Sequence, residues 1–564
     1  MKRFTHFIAT PVLLGLVGLL IAAPHLTRPA AADDGHPLLS AAAQHARTRA
    51  GMPIVHATNA ATPAAFVDAD HTAFLPLVSG VNSAPRPTET PAAPHTPTST
   101  LTPTATPTST LTPTATSTPI AFAEVSDAVY QQSGDVITVT IPYSPCTRVS
   151  SSPILVGDFV VWGMYDQLSG CSSHSPHYTS LLGYHIRTGK LYRLAQSGSS
   201  EATLLHQPDN GLLFQNVVFG GNTVSALDTA RFDKLYGVPQ GFRATSDASG
   251  VYLNGLYYFG TINPPGDVCQ NPVNANCGGV FALDASGALV HSLNLDDGFR
   301  SWIGAGLTSD GQFIYAGGAE QFLGDASSAY LYGCSVVKLD QQLNIVATFD
   351  PGVQGCHRSG VGQNDEDAVA GEVVIAGDGT LWVNFSHGVD DRNVYALYHL
   401  DANLAPICVF EGPSSLLMMT GYYQSPTVDK DGNVYVLISP NGVGGNGVGQ
   451  LWKVTSNCQG TKLADLPQGG SSTPVLADDQ RVLTISAGQI QIRTLAGDIV
   501  KSYGLASSAN VIASPMIADG VIYVVDVTGA LTVIHNSGLQ GYGAAPWPRY
   551  RHDNAGSGVQ PSTN

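Results

Sequence analysis

One skeleton recurs through most of this chain and leaves it few folds. It is a small-residue or Ser-Pro start, a short strand, an Asp/Gly turn, a second strand closing on an aromatic residue and valine, a loop, a third strand, a Gly turn and a fourth strand. The clearest copy is 513–534, where ASPMIADGVIYVVD is followed by TGALTVI. Short β-branched and aromatic runs split by Asp-Gly and Thr-Gly turns read as an up-and-down antiparallel sheet. With drift, the pattern also occupies 152–194, 211–228, 247–289, 309–340, 377–401, 425–454 and 472–492, after an opening strand at 134–141. A repeat of about 35 to 60 residues is the length of a four-stranded propeller blade. About thirty strands in one twisted sheet would curl or split, and radial packing of short sheets resolves that. A β-helix would need shorter, more regular repeats. The sequence therefore predicts an all-β, eight-bladed β-propeller of four-stranded antiparallel blades over 121–564, with seven blades as the alternative count.

The first 120 residues are of another kind. A basic start, Met1-Lys2-Arg3, leads into an apolar stretch from Phe7 to Ala23, and small residues Ala30-Ala31-Ala32 precede Asp33. This is the layout of a secretory signal peptide over 1–32, with an uncleaved anchor as the alternative. Residues 33–84 hold one compact apolar patch, 73–78, too little for a core, and are expected to be disordered. From 85 to 120 the chain is almost entirely Thr, Pro, Ser and Ala, and TSTLTPTATP at 98–107 is followed by TSTLTPTATS at 108–117. Closely spaced prolines favour extended polyproline geometry, so this reads as a semi-rigid stalk reaching roughly 100 Å. The whole layout places the propeller outside the cell, secreted or held at the surface.

Charge narrows the partners. There are 25 Lys and Arg against 42 Asp and Glu, a formal charge of −17, and no basic run. Nucleic acid would find no electrostatic footprint, so none is expected. A membrane enters only through an uncleaved N-terminus, and a monomer is expected. The eight cysteines are Cys146, Cys171, Cys269, Cys277, Cys334, Cys356, Cys408 and Cys458. None forms a Cys-x-x-Cys pair or stands at finger spacing from a histidine, which argues against zinc and thioredoxin-like readings. An even count behind an export signal reads as up to four disulfides. Pairing by proximity gives 146–171, 269–277, 334–356 and 408–458, an order that sequence alone does not decide.

The repeat Ser-Pro…Asp-Gly-x-x-Tyr-Val…Gly-x-Leu…Gly of Ser514–Gly538 resembles that of quinoprotein (PQQ-dependent) alcohol-dehydrogenase-type propellers. Pro546-Trp-Pro-Arg-Tyr-Arg-His-Asp553 is similar to a Trp-Pro-x-x-x-His-Asp signature found with such repeats in secreted bacterial proteins. The resemblance spans about 121–558 and implies some eight blades. It does not imply activity. The family's docking motif, Ala-x-Asp-x-x-Thr-Gly-Lys-x-x-Trp, survives here only as Thr188-Gly189-Lys190, with Arg193 in place of the Trp. The stretch from Phe281 to Leu289 also lacks the aromatic, and the adjacent cysteines of the dehydrogenases are absent. No cofactor is expected, PQQ with calcium being the remote alternative.

Other chemistry can be argued down residue by residue. Asp296-Asp297, Asp365-Glu366-Asp367 and Asp390-Asp391 read as solvated loop faces. Asp429-Lys-Asp-Gly-Asn433 lacks the later positions of an EF-hand and reads as a type I′ hairpin turn. His174 and His177 are two ligands without a third. The glycines of 442–449 lack the Lys-Ser/Thr of a phosphate loop. Asn384-Phe-Ser386 is a formal glycosylation sequon. No Gly-x-Ser-x-Gly elbow occurs, and a Ser/His/Asp triad stays open on counts alone. No catalytic or metal residue is assigned. The expectation is a binding or display module for a protein or glycan ligand, its longest insertions (163–180, 261–279, 317–333, 351–370 and 439–449) decorating one face. The alternative is an extracellular enzyme, either a degenerate PQQ-dependent dehydrogenase or a glycan hydrolase or lyase.

Overall fold

The computed structural model describes residues 123–141, 147–166, 180–196, 200–217, 223–237, 248–261, 279–294, 301–303, 305–317, 319–320, 336–349, 369–389, 392–413, 425–438, 448–467, 472–505 and 511–560. The segments read as signal peptide and stalk, the six cysteines from Cys146 to Cys356, His174 and His177, and the acidic clusters of the long insertions lie outside them. Among the described residues no helix is long and apolar enough to cross a membrane.

Eight antiparallel sheets form a propeller. Their inner strands are Ile154–Val156, Leu205–Gln207, Val251–Leu253, Thr308–Ser309, Val374–Ile375, Thr427–Val428, Val475–Ala477 and Met516–Ala518, which we number blades one to eight. Each is followed outward by its second, third and fourth strands, as in Val475–Ala477, Arg481–Ser486, Gln489–Thr494 and Ile499–Gly504 of blade seven. Burial follows this order. The second strands Leu212–Asn216 and Val434–Ile438 are buried at every position, because neighbouring blades cover both of their faces. Fourth strands such as Ile499–Gly504 are mostly exposed. The aromatic residue that recurs in the second strand fills the space between blades: Trp162, Tyr315, Trp382, Tyr435 and Tyr523 are all fully buried. Tyr315 and Tyr435 also donate their hydroxyls to Asp310 and Asp429 of the preceding turn, so that one residue serves both core and turn.

Blade eight is built from both ends of the domain. Its inner three strands are Met516–Ala518, Val521–Val525 and Leu531–Ile534, and its outer two are Val136–Thr140 and Val129–Ser133. The ladder runs Val136↔Ile534 to Val139↔Leu531. The strand read as opening the repeat series thus closes the ring instead, and Ala123–Glu124, just before it, pairs with the outer strand of blade one.

The turns correct one expectation. Asp519-Gly520 has both residues left-handed, at φ 49° and 77°, as a type I′ turn requires. In Asp429–Asn433 only Gly432 is left-handed, so this is a longer loop and not a type I′ turn. The Asp429 carboxylate holds it by accepting the amides of Asp431 and Asn433 at 2.9 and 2.8 Å. Asn384 of the sequon lies inside the second strand of blade five at 3% exposure, out of reach of glycosylation in the folded chain.

Candidate functional site

The site with the most converging chemistry is the propeller axis, and the last described residues fill it. Each inner strand begins on one face of the disc, here the upper, and turns into its second strand on the lower. The segment 535–560 enters from the lower face: Ser537 Oγ donates to Gly520 O in the first turn of blade eight, and Ala544 N to Asp479 Oδ1 in that of blade seven. It then circles the axis. The backbone amides of Val428 and Leu476 donate to Trp547 O and Pro548 O, and those of Leu155, His206 and Ser309 to Asn554 O, Ala555 O and Gly558 O. Ile517 N donates to the Tyr542 hydroxyl. These six amides hold equivalent positions in six blades, so the tail satisfies inner-edge donors that a bare ring would leave to water.

Three residues before these amides, and at the matching positions of blades three and five, stands a ring of eight: Ser152, Thr203, Ser249, Gly306, Glu372, Ser425, Thr473 and Ser514. Their hydroxyls stitch blade to blade. Ser514 N donates to Ser152 Oγ at 2.8 Å, Ser152 N to Thr203 Oγ1 at 2.9 Å, Thr203 N to Ser249 Oγ at 3.0 Å and Ser425 N to Thr473 Oγ1 at 3.0 Å. The Ser/Thr at each repeat start is therefore a ring bolt. Blades four and five depart from the rule, with glycine and glutamate, and that is where Arg551 reaches. Its guanidinium donates to Gly250 O, Leu307 O and, at 3.1 Å, Glu372 Oε1, with both side chains of the ion pair fully buried. Burial pushes the Glu372 carboxyl up to about 7, and Arg551 pulls it back only in part. Arg549 donates to Pro153 O on the opposite side of the ring.

Gly306 makes room for this. A Cβ there would stand 2.5 Å from Arg551 Nη1. The backbone at 306 is not left-handed, so alanine would act through crowding alone. Gly306→Ala is expected to cost about 1–3 kcal/mol of unfolding free energy by denaturant titration. In an Arg551→Ala background the same change is expected to cost little. Equal costs in both backgrounds would refute the fit.

The His-Asp of the tail signature also has a structural task. Arg551 and His552 are both left-handed, at φ 65° and 68°, and turn the chain sharply. Asp553 secures the turn, accepting Ala555 N at 2.9 Å, Ser557 N at 3.1 Å, Ser557 Oγ at 2.5 Å and His552 Nδ1 at 3.2 Å. Burial by itself would raise the Asp553 carboxyl, but the bonds from His552 and Ser557 outweigh it and hold the group below its ordinary value. Ser557 donates to Asp553 and not to His552, so the trio lacks the order of a nucleophilic triad. His552 packs edge-on against Trp547 at 5.2 Å.

The fold is similar to that of BamB. BamB from Moraxella catarrhalis matches at 15% identity and a TM-score of 0.47, over 72% of this chain and 100% of that one. A streptogramin B lyase matches at 14% identity and 0.36, over 59% and 92%, and a chain of the mitotic checkpoint complex at 11% and 0.37, over 59% and 86%. No family model and no curated protein matches the sequence.

The axis does not fit a quinone with calcium. Trp547, Arg549, Tyr550 and Arg551, each at most 1% exposed, occupy it, and the ring's one carboxylate, Glu372, already faces a guanidinium. Thr188-Gly189-Lys190, the remnant of the docking motif, is a turn between the third and fourth strands of blade one, with Gly189 at φ 66°. Sequence reasoning treated the tail signature as a family mark and did not place it. The signal was present: paired arginines between prolines and aromatics in a domain with so few charges.

Of the cysteines, Cys408 and Cys458 form a disulfide with Cα atoms 5.9 Å apart. It ties the fourth strand of blade five to the turn before the fourth strand of blade six. His399 beside it was not singled out from sequence. His399 and Cys408 are nine residues apart, and only strand pairing brings them together.

Proposed function

We propose that this protein is an exported propeller, held out by its Thr/Pro stalk, whose upper face binds a protein or glycan partner. One observation carries the reading. Second strands run antiparallel to inner strands, so every connection from second to third strand, and every connection between blades, leaves the disc on the upper face. The ends of second strands meet the starts of inner runs there, as in Gly163 N to Ser151 Oγ and Gly371 N to Asn384 O. The attachment points of all five long insertions therefore share the face opposite the tail's approach. A rigid disc with its long insertions attached on one side and its axis filled by its own chain suits recognition across a broad surface.

The test is a screen of the 33–564 chain against glycan arrays, cell-wall polymers and surface proteins, repeated with 262–278 replaced by a short Gly-Ser turn. The replacement is expected to weaken binding at least tenfold and leave the melting temperature unchanged. Undiminished binding would remove the upper face from consideration. Dye-linked alcohol oxidation after reconstitution with PQQ and calcium would favour the enzyme reading instead.

A further inference from the structure

We propose that His399, Cys408 and Cys458 form a latent binding site for a thiophilic divalent cation, zinc above all, masked while the two sulfurs are bonded to each other. His399 and Cys408 are directly opposed on the third and fourth strands of blade five, and Cys458 reaches them from the adjoining blade. His399 Nδ1 lies 4.0 Å from Cys408 Sγ, and the three ligand atoms all fall within 4.8 Å of one another. Two sulfurs and one imidazole nitrogen are the donor set that zinc takes in many proteins.

The imidazole is already held as a ligand would need to be. It stacks on Trp382 with centroids 4.1 Å apart and planes 3° from parallel. Its Nε2 lies 2.9 Å from Thr380 Oγ1, and its Nδ1 lies 2.9 Å from Ser456 O. The Thr380 hydroxyl donates to Asp378 Oδ1 at 2.7 Å, so toward the ring it accepts, which places a ring proton on Nε2. With its proton on Nε2, the neutral form of the ring keeps a lone pair on Nδ1, 4.0 Å from Cys408 Sγ and 2.9 Å from Ser456 O, and an outer hydrogen bond of this kind orients the imidazole in metal sites.

Unmasking needs a reductant, a dithiol in a natural setting. The S–S bond takes two electrons and two protons to give two thiols, and the dithiol closes to its own disulfide. The cation then displaces one proton from each thiol and forms two metal–sulfur bonds and one metal–nitrogen bond. At tetrahedral zinc geometry the sulfurs would part to about 3.8 Å. Ser456 O, 3.5 Å from Cys408 Sγ, stands beside the fourth position. A covalent tether between blades five and six would thereby give way to a metal tether at the same place.

The test uses the 33–564 chain reduced with a water-soluble phosphine, which does not compete for metal, and cobalt(II) as a spectroscopic stand-in for zinc. Expected are thiolate-to-cobalt charge-transfer bands and strong visible bands only after reduction, abolished by zinc, with the β-sheet circular dichroism retained. The Cys408→Ser/Cys458→Ser protein, treated alike, should lose these bands even though other cysteines remain. Thr380→Val should keep the bands and bind cobalt roughly 10-fold more weakly. Three results would overturn the proposal: no cobalt bands in the reduced chain, equal bands in the double-serine chain, or collapse of the fold on reduction.

Discussion

A chain shortened to begin at residue 121 is expected to melt with the full-length protein, and one shortened to begin at residue 142 is expected not to hold a closed ring. The two differ by twenty-one residues, which carry the outer two strands of blade eight and the short strand that pairs with blade one. Val136–Thr140 covers the edge of Leu531–Ile534, which would otherwise stand open beside blade one. Val125, Val139 and Ile141 are at most 8% exposed and join one cluster with Trp162 and Met164 of blade one and Leu531 and Val533 of blade eight. Fully burying an aliphatic side chain contributes about 1.5–3 kcal/mol, so three such residues amount to roughly 5 kcal/mol or more before any ladder bond is counted. A domain's whole margin is about 5–15 kcal/mol. The shorter chain is therefore expected to lose its cooperative thermal transition or to melt far lower. A peptide spanning 121–141, added in excess, is expected to restore the transition by adding its strands to the open edge. A chain beginning at 142 that melts like the full-length protein would show that blade eight closes without them.

The repeat was readable because a blade is a local object. Its period-2 runs, Asp-Gly turns and recurrent second-strand aromatic all lie within some forty residues. All eight units of the sequence reading correspond to the eight blades of the structure, down to the Asp-Gly at 519–520. What could not be read is what depends on closure. Val136 and Ile534 pair across nearly the whole domain, and no local pattern announces that. Likewise Arg551 finds Glu372 only because a tail passes up the axis of a ring, and His399 meets two sulfurs only through strand register and a neighbouring blade. The one hint in the repeat itself was a failure of pattern. Glycine and glutamate stand where six other blades carry serine or threonine, and those two departures mark the place where the axial arginine docks.

That docking makes the largest single-residue prediction. Arg551→Met is expected to cost about 3–5 kcal/mol, because it leaves Glu372 buried without its counter-charge, whereas Arg551→Met combined with Glu372→Leu should recover most of the loss. The pH dependence gives a sharper readout. An unfolded chain releases the Glu372 proton near pH 4.5, while burial keeps it on the folded chain to about 7. Between those values the folded state binds more protons, so this group's contribution is fully present below pH 4.5, is lost as pH rises to about 7, and is level above. The span corresponds to a contribution on the order of 3 kcal/mol. Groups with lowered pKa, such as Asp553 and Asp284, act in the opposite direction and at lower pH, so the informative quantity is the difference between wild type and Glu372→Gln. That difference is expected to narrow in disfavour of the wild type from pH 5 to pH 7. In Arg551→Met, which removes the charge drawing the carboxyl downward, the decline should continue past pH 7. Parallel stability curves for wild type and Glu372→Gln across this range would mean that the carboxyl is ionised throughout and that the ion pair, not a protonated acid, is what the axis holds.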